Sequence, residues 1–366
     1  MGKKIKYYSL EKLKEKDATY NICFGLRSNG KTYAVLKEGL LQYVETGKQL
    51  AIIRRWKEDF IGKRGQVMFD GLNANDEIRK ATRGEWEFIR YYASKWYLAR
   101  HDQDGRVVQD DKPLALAFSL SDMEHDKSTA YPDVGMILFD EFISREGYLK
   151  DEFVIFMNVI STIIRGRMDV KIYMMGNTVN KYCPYFAEMG LKHISQMRPG
   201  QVDVYRYGDS RLTVAVEYAE PLTKSKKQDN AFYFAFDNPK LQMITSGAWE
   251  IDIYPHLPFK YKPKDIIFQF FIIFAGHILH CEIINAEGCT FTYIHKKTTP
   301  LQDGRNLVYT PEVSADPLYR RNILKPCDKL DEKVYRYFKT HKVFYQDNEL
   351  GEVVRNYLMW CGSKAL

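Results

Sequence analysis

Apolar runs alternate with segments of helical periodicity through the first half of the chain. The runs are short and almost without polar residues, as expected for strands buried on both faces of a parallel sheet. Strands that alternate with helices predict an α/β domain with crossover connections. The predicted strands are 20–24, 136–139 and 170–177, and the predicted helices include 32–44 and 153–164.

The pattern changes after residue 197. Two alternating strands, 202–207 and 212–218, precede the polar run 224–230, which predicts a linker or lid region. The remainder begins with strands that include 232–236 and ends with helical segments at 331–339 and 351–360. The predicted division is a mainly parallel α/β domain at 1–197, a linker or lid at 198–230 and a smaller α+β domain at 231–366. Within the first domain, the charged and aromatic segment 62–106 is expected to form strands or hairpins at the sheet edge.

A phosphate-binding loop connects the first predicted strand to the first long helix. Residues 25–32 match the pattern G-x-x-x-x-G-K-[ST] at every fixed position. In this pattern glycines let backbone N–H groups approach phosphate, Lys31 reaches the outer phosphates and Thr32 ligates Mg²⁺. A glycine-rich turn that matches by chance is the alternative, and the flanking strand and helix disfavour it. The expected ATP-binding residues of the loop are Gly25, Arg27, Ser28, Asn29, Gly30, Lys31 and Thr32.

Two adjacent carboxylates, Asp140 and Glu141, end the apolar strand at 136–139. Beside a phosphate loop, Asp140 is expected to hold the Mg²⁺ shell together with Thr32, and Glu141 to orient or deprotonate the attacking water. A solvated strand end that caps the next helix is the alternative. The glutamate favours hydrolysis by water over transfer to a small acceptor.

Three further polar residues follow core elements. Arg165 and Arg167 end the predicted helix at 153–164, and either could supply a guanidinium to the γ-phosphate of a neighbouring subunit. Capping of the helix end by Arg165 and Gly166 is an equally weighted alternative. Asn177 ends the next strand and is a candidate sensor of the γ-phosphate or of the water.

These segments together resemble the terminase-like genome-packaging ATPases of small podophages with protein-primed linear genomes. The similarity is strongest over residues 21–180 and rests on five runs. They are 25–34, Ile52-Ile53-Arg54-Arg55-Trp56-Lys57, Asp126-Lys127-Ser128-Thr129-Ala130-Tyr131-Pro132, Phe139-Asp140-Glu141-Phe142-Ile143 and Arg165-Gly166-Arg167.

The resemblance implies a P-loop ATPase of the ASCE division, followed by an RNase H-like domain that is a vestigial nuclease. It also implies a homo-oligomeric ring, usually of five subunits, that drives double-stranded DNA into an empty prohead at the portal vertex, in the host cytoplasm. By the resemblance Arg165 matches a trans-acting arginine finger, with Arg167 close by, Lys57 lies at the subunit interface and Lys127 lies in a loop facing DNA. The family recruits a portal protein and, in some members, a structural packaging RNA.

Composition agrees with a polyanionic partner. The formal net charge is +7, a mild excess for a protein that binds nucleic acid. Most basic clusters are expected to be solvated faces, but Lys63 and Arg64 lie in a predicted loop and are candidate DNA contacts. The six cysteines form no Cys-x-x-Cys pair, so free thiols in a reducing compartment are expected. The N-terminus has no apolar segment behind its charges, and no signal peptide is expected.

The C-terminal region contains an apolar stretch, 266–284, that polar residues interrupt. Two buried strands joined near Gly276 fit this stretch better than a membrane span. Its first strand, 266–274, has no carboxylate, although a working nuclease would start its metal site there. A metal site formed by His277, His280 and Cys281 is not expected, because no fourth ligand appears at zinc-like spacing.

Three classes of function remain in competition. The preferred class is a ring-forming DNA-translocating ATPase without nuclease activity. The alternatives are a complete terminase with an active nuclease, and a P-loop ATPase that acts on a non-nucleic partner.

Overall fold

A computed structural model describes residues 7–125, 130–221, 249, 252–257, 259–297, 299, 301 and 304–363. The chain divides into two compact units, Met1–Trp249 and Glu250–Leu366. The predicted boundary at residue 231, the polar run 224–230 and the strand expected at 232–236 lie outside the described residues.

The first unit is built on a ten-stranded sheet with a parallel centre. Its strands are β1 (Tyr20–Gly25), β2 (Gln49–Arg54), β3 (Phe88–Tyr92), β4 (Lys95–His101), β5 (Val107–Gln109), β6 (Ala115–Ser119), β7 (Val134–Asp140), β8 (Lys171–Asn177), β9 (Val202–Arg206) and β10 (Thr213–Tyr218). The order is β3-β4-β6-β2-β7-β8-β1-β10-β9, with β5 beside β4. Every neighbouring pair from β6 to β10 is parallel, which confirms the predicted α/β class.

Helices cover both faces of this sheet. They are α1 (Glu11–Lys14), α2 (Lys31–Thr46), α3 (Lys63–Val67), α4 (Asp70–Ala74), α5 (Glu77–Ala81), α6 (Glu152–Ile164) and α7 (Pro184–Glu188). On β1, Ile22 and Phe24 enter the core that α6 covers, and Cys23 enters the core that α2 covers. All residues of β7 are buried, because neighbours in a strand point to opposite faces and both faces are covered.

The edge region at 62–106 differs in part from the prediction. The hairpin of β3 and β4 does lie at the sheet edge, but α3, α4 and α5 precede it where strands were also expected. These helices pack their apolar residues around the aromatic side chains of the hairpin. Trp96 of β4 is fully buried and donates from its indole nitrogen to the Gly65 carbonyl oxygen at 2.8 Å.

The predicted linker or lid region at 198–230 is wrong as far as Tyr218. Both of its predicted strands exist, but β10 pairs in parallel with β1, and β9 pairs antiparallel with β10. The residues from Val214 to Tyr218 are buried, so this segment is an integral part of the first sheet. A domain boundary at residue 197 would remove two strands from that sheet.

The second unit contains a six-stranded sheet and two helices among its described residues. Its elements are β11 (Ile266–Phe274), β12 (His277–Ala286), β13 (Cys289–Lys296), β14 (Val308–Tyr309), β15 (Tyr319–Arg320), α8 (Lys329–Lys339), β16 (Val343–Tyr345) and α9 (Asn348–Ser363). The order is β15-β14-β11-β12-β13-β16. An antiparallel meander of β11, β12 and β13 is extended by β14, which is parallel to β11. The order β13-β12-β11-β14-β15 agrees with the predicted RNase H-like domain, which stays a prediction.

The apolar stretch at 266–284 forms β11 and most of β12, as predicted. The two strands meet at Ala275 and Gly276, which both have positive φ. Among the helices of the described residues, none combines the length and the apolar character needed to cross a bilayer.

Candidate active site

The carboxyl ends of four parallel strands bring the predicted site residues together. The neighbouring strands β2, β7, β8 and β1 end at Arg54, Asp140, Asn177 and Gly25, respectively. Parallel strands end at one edge of a sheet, and ligands of open α/β sheets bind outside that edge. Because β8 lies between β1 and β7, Asn177 is placed between the phosphate loop and the carboxylates.

The phosphate loop begins and ends with glycines of positive φ. Gly25 has a φ of +157°, and a Cβ at this position would lie 3.1 Å from the Cβ of Ala219. Gly30 has a φ of +95° and directly precedes α2. A side chain at either position would strain the backbone. The loop therefore leads directly into the N-terminus of a long helix, where free N–H groups and the helix dipole favour an anion.

Lys31 is a buried cation whose ammonium group donates hydrogen bonds to oxygen atoms of the loop and of β8. Its Nζ donates to the Leu26 carbonyl oxygen at 2.6 Å, to Asn29 Oδ1 at 3.2 Å and to Asn177 Oδ1 at 3.3 Å. Burial lowers the pKa of Lys31 to about 8, although the nearby Asp140 partly opposes this shift. Among the described residues, the buried Nδ2 atom of Asn29 has no hydrogen-bond partner. Both groups suit a loop that binds a phosphate anion.

The first carboxylate contacts the loop directly. Thr32 Oγ1 donates to Asp140 Oδ1 at 2.7 Å, and Asp140 is buried. Glu141 is the next residue; its side chain is 62% exposed and its φ is +58°. The backbone turn at Glu141 therefore presents the second carboxylate to solvent at the same edge.

Arg54 links the two carboxylates and is absent from the sequence-based set of site residues. Its Nη2 lies 2.5 Å from Asp140 Oδ2, and its Nη1 lies 2.9 Å from Glu141 Oε2. Burial by itself would lower the pKa of Arg54, but the two carboxylates raise it overall. The signal was present in the chain, because Arg54 ends a predicted buried strand and parallel neighbours end at the same edge.

A second arginine, Arg55, holds the backbone beside the site in place. Arg55 Nε lies 2.8 Å from Glu152 Oε2, and both side chains are buried. Arg55 Nη2 donates to the Phe142 carbonyl oxygen at 2.8 Å, and Tyr185 donates to Glu152 Oε1 at 2.7 Å. This ion pair connects the end of β2, the turn after Glu141 and the first turn of α6.

Arg165 and Arg167 lie far from the phosphate loop of their own chain. Arg165 ends α6 with a φ of +46° and is exposed, so the predicted helix end is confirmed. Arg167 donates from Nη1 to the Val134 carbonyl oxygen at 2.7 Å and from Nη2 to that of Tyr131 at 3.1 Å. Val134 starts the strand that ends at Asp140, and this strand is about 20 Å long at the usual rise per residue. The guanidinium of Arg167 is thus engaged with backbone at the opposite end of the sheet.

The remaining predicted residues are Lys57, Lys63, Arg64, Arg27 and Lys127. Lys57 is exposed and pairs with Asp122 at 2.6 Å. Lys63 and Arg64 are exposed at the start of α3, so their predicted loop is wrong. Arg27 is exposed within the phosphate loop. Lys127 lies outside the described residues.

The fold and the site define a P-loop ATPase of the ASCE division, in which a strand separates the loop strand from the acidic strand. The family model of the podovirus DNA encapsidation protein (Gp16) matches residues 1–205, more than half of the chain, and the chain belongs to this family. This match includes every residue of the site.

Individual relatives agree with the family. The DNA packaging protein of Bacillus phage phi29 is 27% identical over 183 residues, which are 49% of this chain and 49% of that protein. The chain therefore spans about half the length of the curated relatives it matches. The solved bacteriophage phi-29 genome packaging motor assembly has a TM-score of 0.53 at 19% identity and covers 96% of both chains. The phi-28 gp11 packaging motor has a TM-score of 0.51 at 20% identity, covering 96% of this chain and 98% of that one. At these identities the structures support the fold alone.

Proposed function

We propose that this chain is the ATP-driven motor that translocates double-stranded viral DNA into a preformed prohead. The contact of Thr32 with Asp140 at 2.7 Å carries the proposal, because it joins the phosphate loop to the acidic strand in one site. The family and the curated relatives, which are named DNA packaging proteins, support the choice of DNA as the substrate.

The donor set fits a magnesium ion with a triphosphate. A hydroxyl and a carboxylate are hard oxygen ligands, which suit Mg²⁺, and Thr32 and Asp140 would hold it. Bound there, Mg²⁺ would neutralise charge on the outer phosphates. Lys31 binds the phosphate oxygens in place of its present contacts with the loop. Glu141 accepts the proton of the attacking water, and Asn177 lies between the two groups as a sensor.

The arginine finger comes from a neighbouring subunit. The end of α6 lies about 20 Å from the carboxylates of the same chain by the length of β7, so neither arginine serves its own site. Arg165 is exposed, whereas Arg167 donates to several backbone oxygens. We assign the finger to Arg165 in a homo-oligomeric ring, expected to be a pentamer, with Lys57 at the interface.

The other partners follow from the family. Lys127, Lys63 and Arg64 contact the DNA backbone, and the ring docks on the portal of the prohead in the host cytoplasm, with a structural RNA in some relatives. Strand β11 has no carboxylate along its length. The second unit therefore positions a partner and does not cut DNA.

Steady-state ATPase assays with and without long duplex DNA test the proposal. We expect duplex DNA to stimulate turnover, Glu141→Gln to lower it by about 10²–10⁴-fold, and proheads to protect DNA from nuclease only when ATP is present. A rate of ATP hydrolysis that does not change when DNA and proheads are added would contradict the proposed motor function. Nicking of supercoiled plasmid in Mn²⁺ would contradict the loss of nuclease activity.

A further inference from the structure

A cluster of potential metal ligands lies on one face of the second sheet, away from any predicted site. It consists of His280 and Glu282 on β12 and His295 on β13. One nitrogen or oxygen atom from each of the three side chains lies within 4.8 Å of those from the other two. The strand β11, where a nuclease of this fold would start its metal site, supplies none of these residues.

The pairing of the strands explains why these three side chains converge. His280 and Glu282 are two residues apart, so they point to the same face of β12. His295 is directly opposite His280 in the antiparallel register. Cys281 points to the other face and is fully buried in the core. The sequence-based rejection of a site with His277, His280 and Cys281 therefore considered the wrong partners for His280.

The distances are close to those of a coordination shell. His295 Nε2 lies 3.6 Å from Glu282 Oε2, and His280 Nε2 lies 3.9 Å from Glu282 Oε1. Two ligands at about 2.1 Å from a tetrahedral zinc ion are about 3.4 Å apart. The nitrogens of His280 and His295 lie within 4.8 Å of each other, so the two imidazoles would move together by up to about 1.4 Å to reach this separation around one ion.

The ligand atoms face one another across the two strands. Among the described residues, the buried His280 Nε2 atom has no hydrogen-bond partner. The Nε2 atoms of His280 and His295 both face the Glu282 carboxylate. A cation held between these groups would satisfy the nitrogens and the carboxylate together.

Hydrogen bonds from neighbouring groups orient Glu282 and His295. Tyr261 donates its hydroxyl to Glu282 Oε2 at 2.5 Å, and Gln269 donates to Glu282 Oε1 at 3.3 Å. His295 Nδ1 lies 3.3 Å from the Lys296 carbonyl oxygen, a contact that would leave Nε2 free to coordinate. Outer hydrogen bonds of this kind are usual around histidine and carboxylate ligands.

We propose that His280, Glu282 and His295 bind a divalent transition-metal ion of the zinc class, with a fourth position open to solvent. Two imidazoles and one carboxylate are a ligand set of zinc sites, and imidazole disfavours Mg²⁺. The side chains of His280 and His295 are 17% and 27% exposed, which gives an ion access from solvent.

Calorimetric titration of the chelator-treated full-length chain with zinc chloride, without nucleotide, tests this site. We expect one equivalent of zinc to bind wild type and to be lost in His280→Gln, Glu282→Gln and His295→Gln. Tyr261→Phe should weaken binding by roughly tenfold, the lower limit for loss of an outer-shell partner. His277→Gln is the matched control on the opposite face of β12 and should bind as wild type does.

Cobalt substitution and thermal melting complete the test. Bound Co²⁺ should give the visible spectrum of a tetrahedral nitrogen and oxygen site without a thiolate charge-transfer band, which excludes the cysteines. Zinc should raise the melting temperature of wild type and of His277→Gln, but not of folded His295→Gln. The proposal would be overturned if wild type did not bind zinc saturably. It would also be overturned if His280→Gln and His295→Gln bound zinc as tightly as wild type does.

Discussion

Lys31 is the residue for which burial and charge conflict most clearly. Burial disfavours the ammonium and lowers the pKa of Lys31 to about 8 from its usual 10.5. The unfolded chain then binds more protons than the folded chain between these two values, so stability rises with pH across that window. Below pH 8 the cost is fully present, at about 3 kcal/mol for such a shift.

We predict that Lys31→Met changes the stability of the nucleotide-free protein in a pH-dependent way. The free energy of unfolding of wild type, relative to the variant, should rise by up to about 3 kcal/mol from pH 8 to pH 10.5. Chemical denaturation at several pH values measures this difference. Parallel pH curves for the two proteins would show that Lys31 titrates normally.

Glu141 gives the second prediction at this scale. Glutamine keeps the size of the side chain and one oxygen for Arg54, but it cannot accept a proton. Glu141→Gln should retain nucleotide binding while turnover falls by about 10²–10⁴-fold. Binding of a fluorescent nucleotide and single-turnover hydrolysis separate the two effects. Wild-type turnover in the variant would contradict the assigned role.

Sequence reasoning placed residues correctly where they directly adjoin a predicted strand or helix, and their assigned roles stay predictions. The loop at 25–32 carries its own strand and helix, and Asp140 and Glu141 directly follow a buried strand. Arg54 and the three proposed ligands on the second sheet were not predicted, because each set brings together residues of neighbouring strands. Their proximity depends on sheet order and register, which no local pattern contains.

The two arginines that follow α6 differ in their surroundings: Arg165 is exposed, and Arg167 donates to backbone oxygens. We predict that Arg165→Ala lowers ATPase activity without lowering the melting temperature, because the side chain is exposed at a helix end. Arg167→Ala should lower the melting temperature, because backbone oxygens of Val134 and Tyr131 lose their donor. Thermal melting and turnover of both variants check this contrast.

Mixing experiments test whether the finger acts between subunits. Arg165→Ala subunits keep their own carboxylates, and Glu141→Gln subunits keep their own arginine. A mixture of the two should therefore regain part of the activity that each lacks alone. No gain at any ratio would count against a shared site.

The buried pair of Arg55 and Glu152 fastens β2 to α6. Removing one partner leaves an uncompensated buried charge, so Glu152→Gln should cost about 3 kcal/mol or more. Glu220→Gln is the control, because Lys12 and Glu220 form an exposed pair worth at most about 1 kcal/mol. Urea denaturation compares them. Equal costs would mean that the buried pair does not support the site.

Strands and helices were predicted well where their apolar residues recur with a clear period. The strand at 136–139 and the helix at 153–164 are found where apolar spacing placed them. The short helices at 63–81 were missed, because aromatic residues suggested strands and five-residue helices have little periodicity. The strands at 202–218 were found but misplaced, because polar runs that follow them resemble a linker.

The chain has a formal net charge of +7, and the proposed motor would pass along a duplex without reading its bases. Contacts to phosphate position a duplex without sequence information, and they release counterions. DNA-stimulated ATPase activity should therefore fall steeply with salt and be the same for duplexes of different sequence. Turnover measured at several salt concentrations on two unrelated duplexes checks this. A strong sequence preference would contradict a translocating motor.

Gly25, the first glycine of the phosphate loop, also lies close to Ala219, the residue that follows β10. The Ala219 N–H donates to the Phe24 carbonyl oxygen at 2.8 Å, and a Cβ on Gly25 would crowd Ala219. Ala219 directly follows Tyr218, the last residue of β10. A rearrangement of the phosphate loop around a nucleotide would therefore displace the backbone at Ala219 through a main-chain hydrogen bond, without any chain of side-chain contacts.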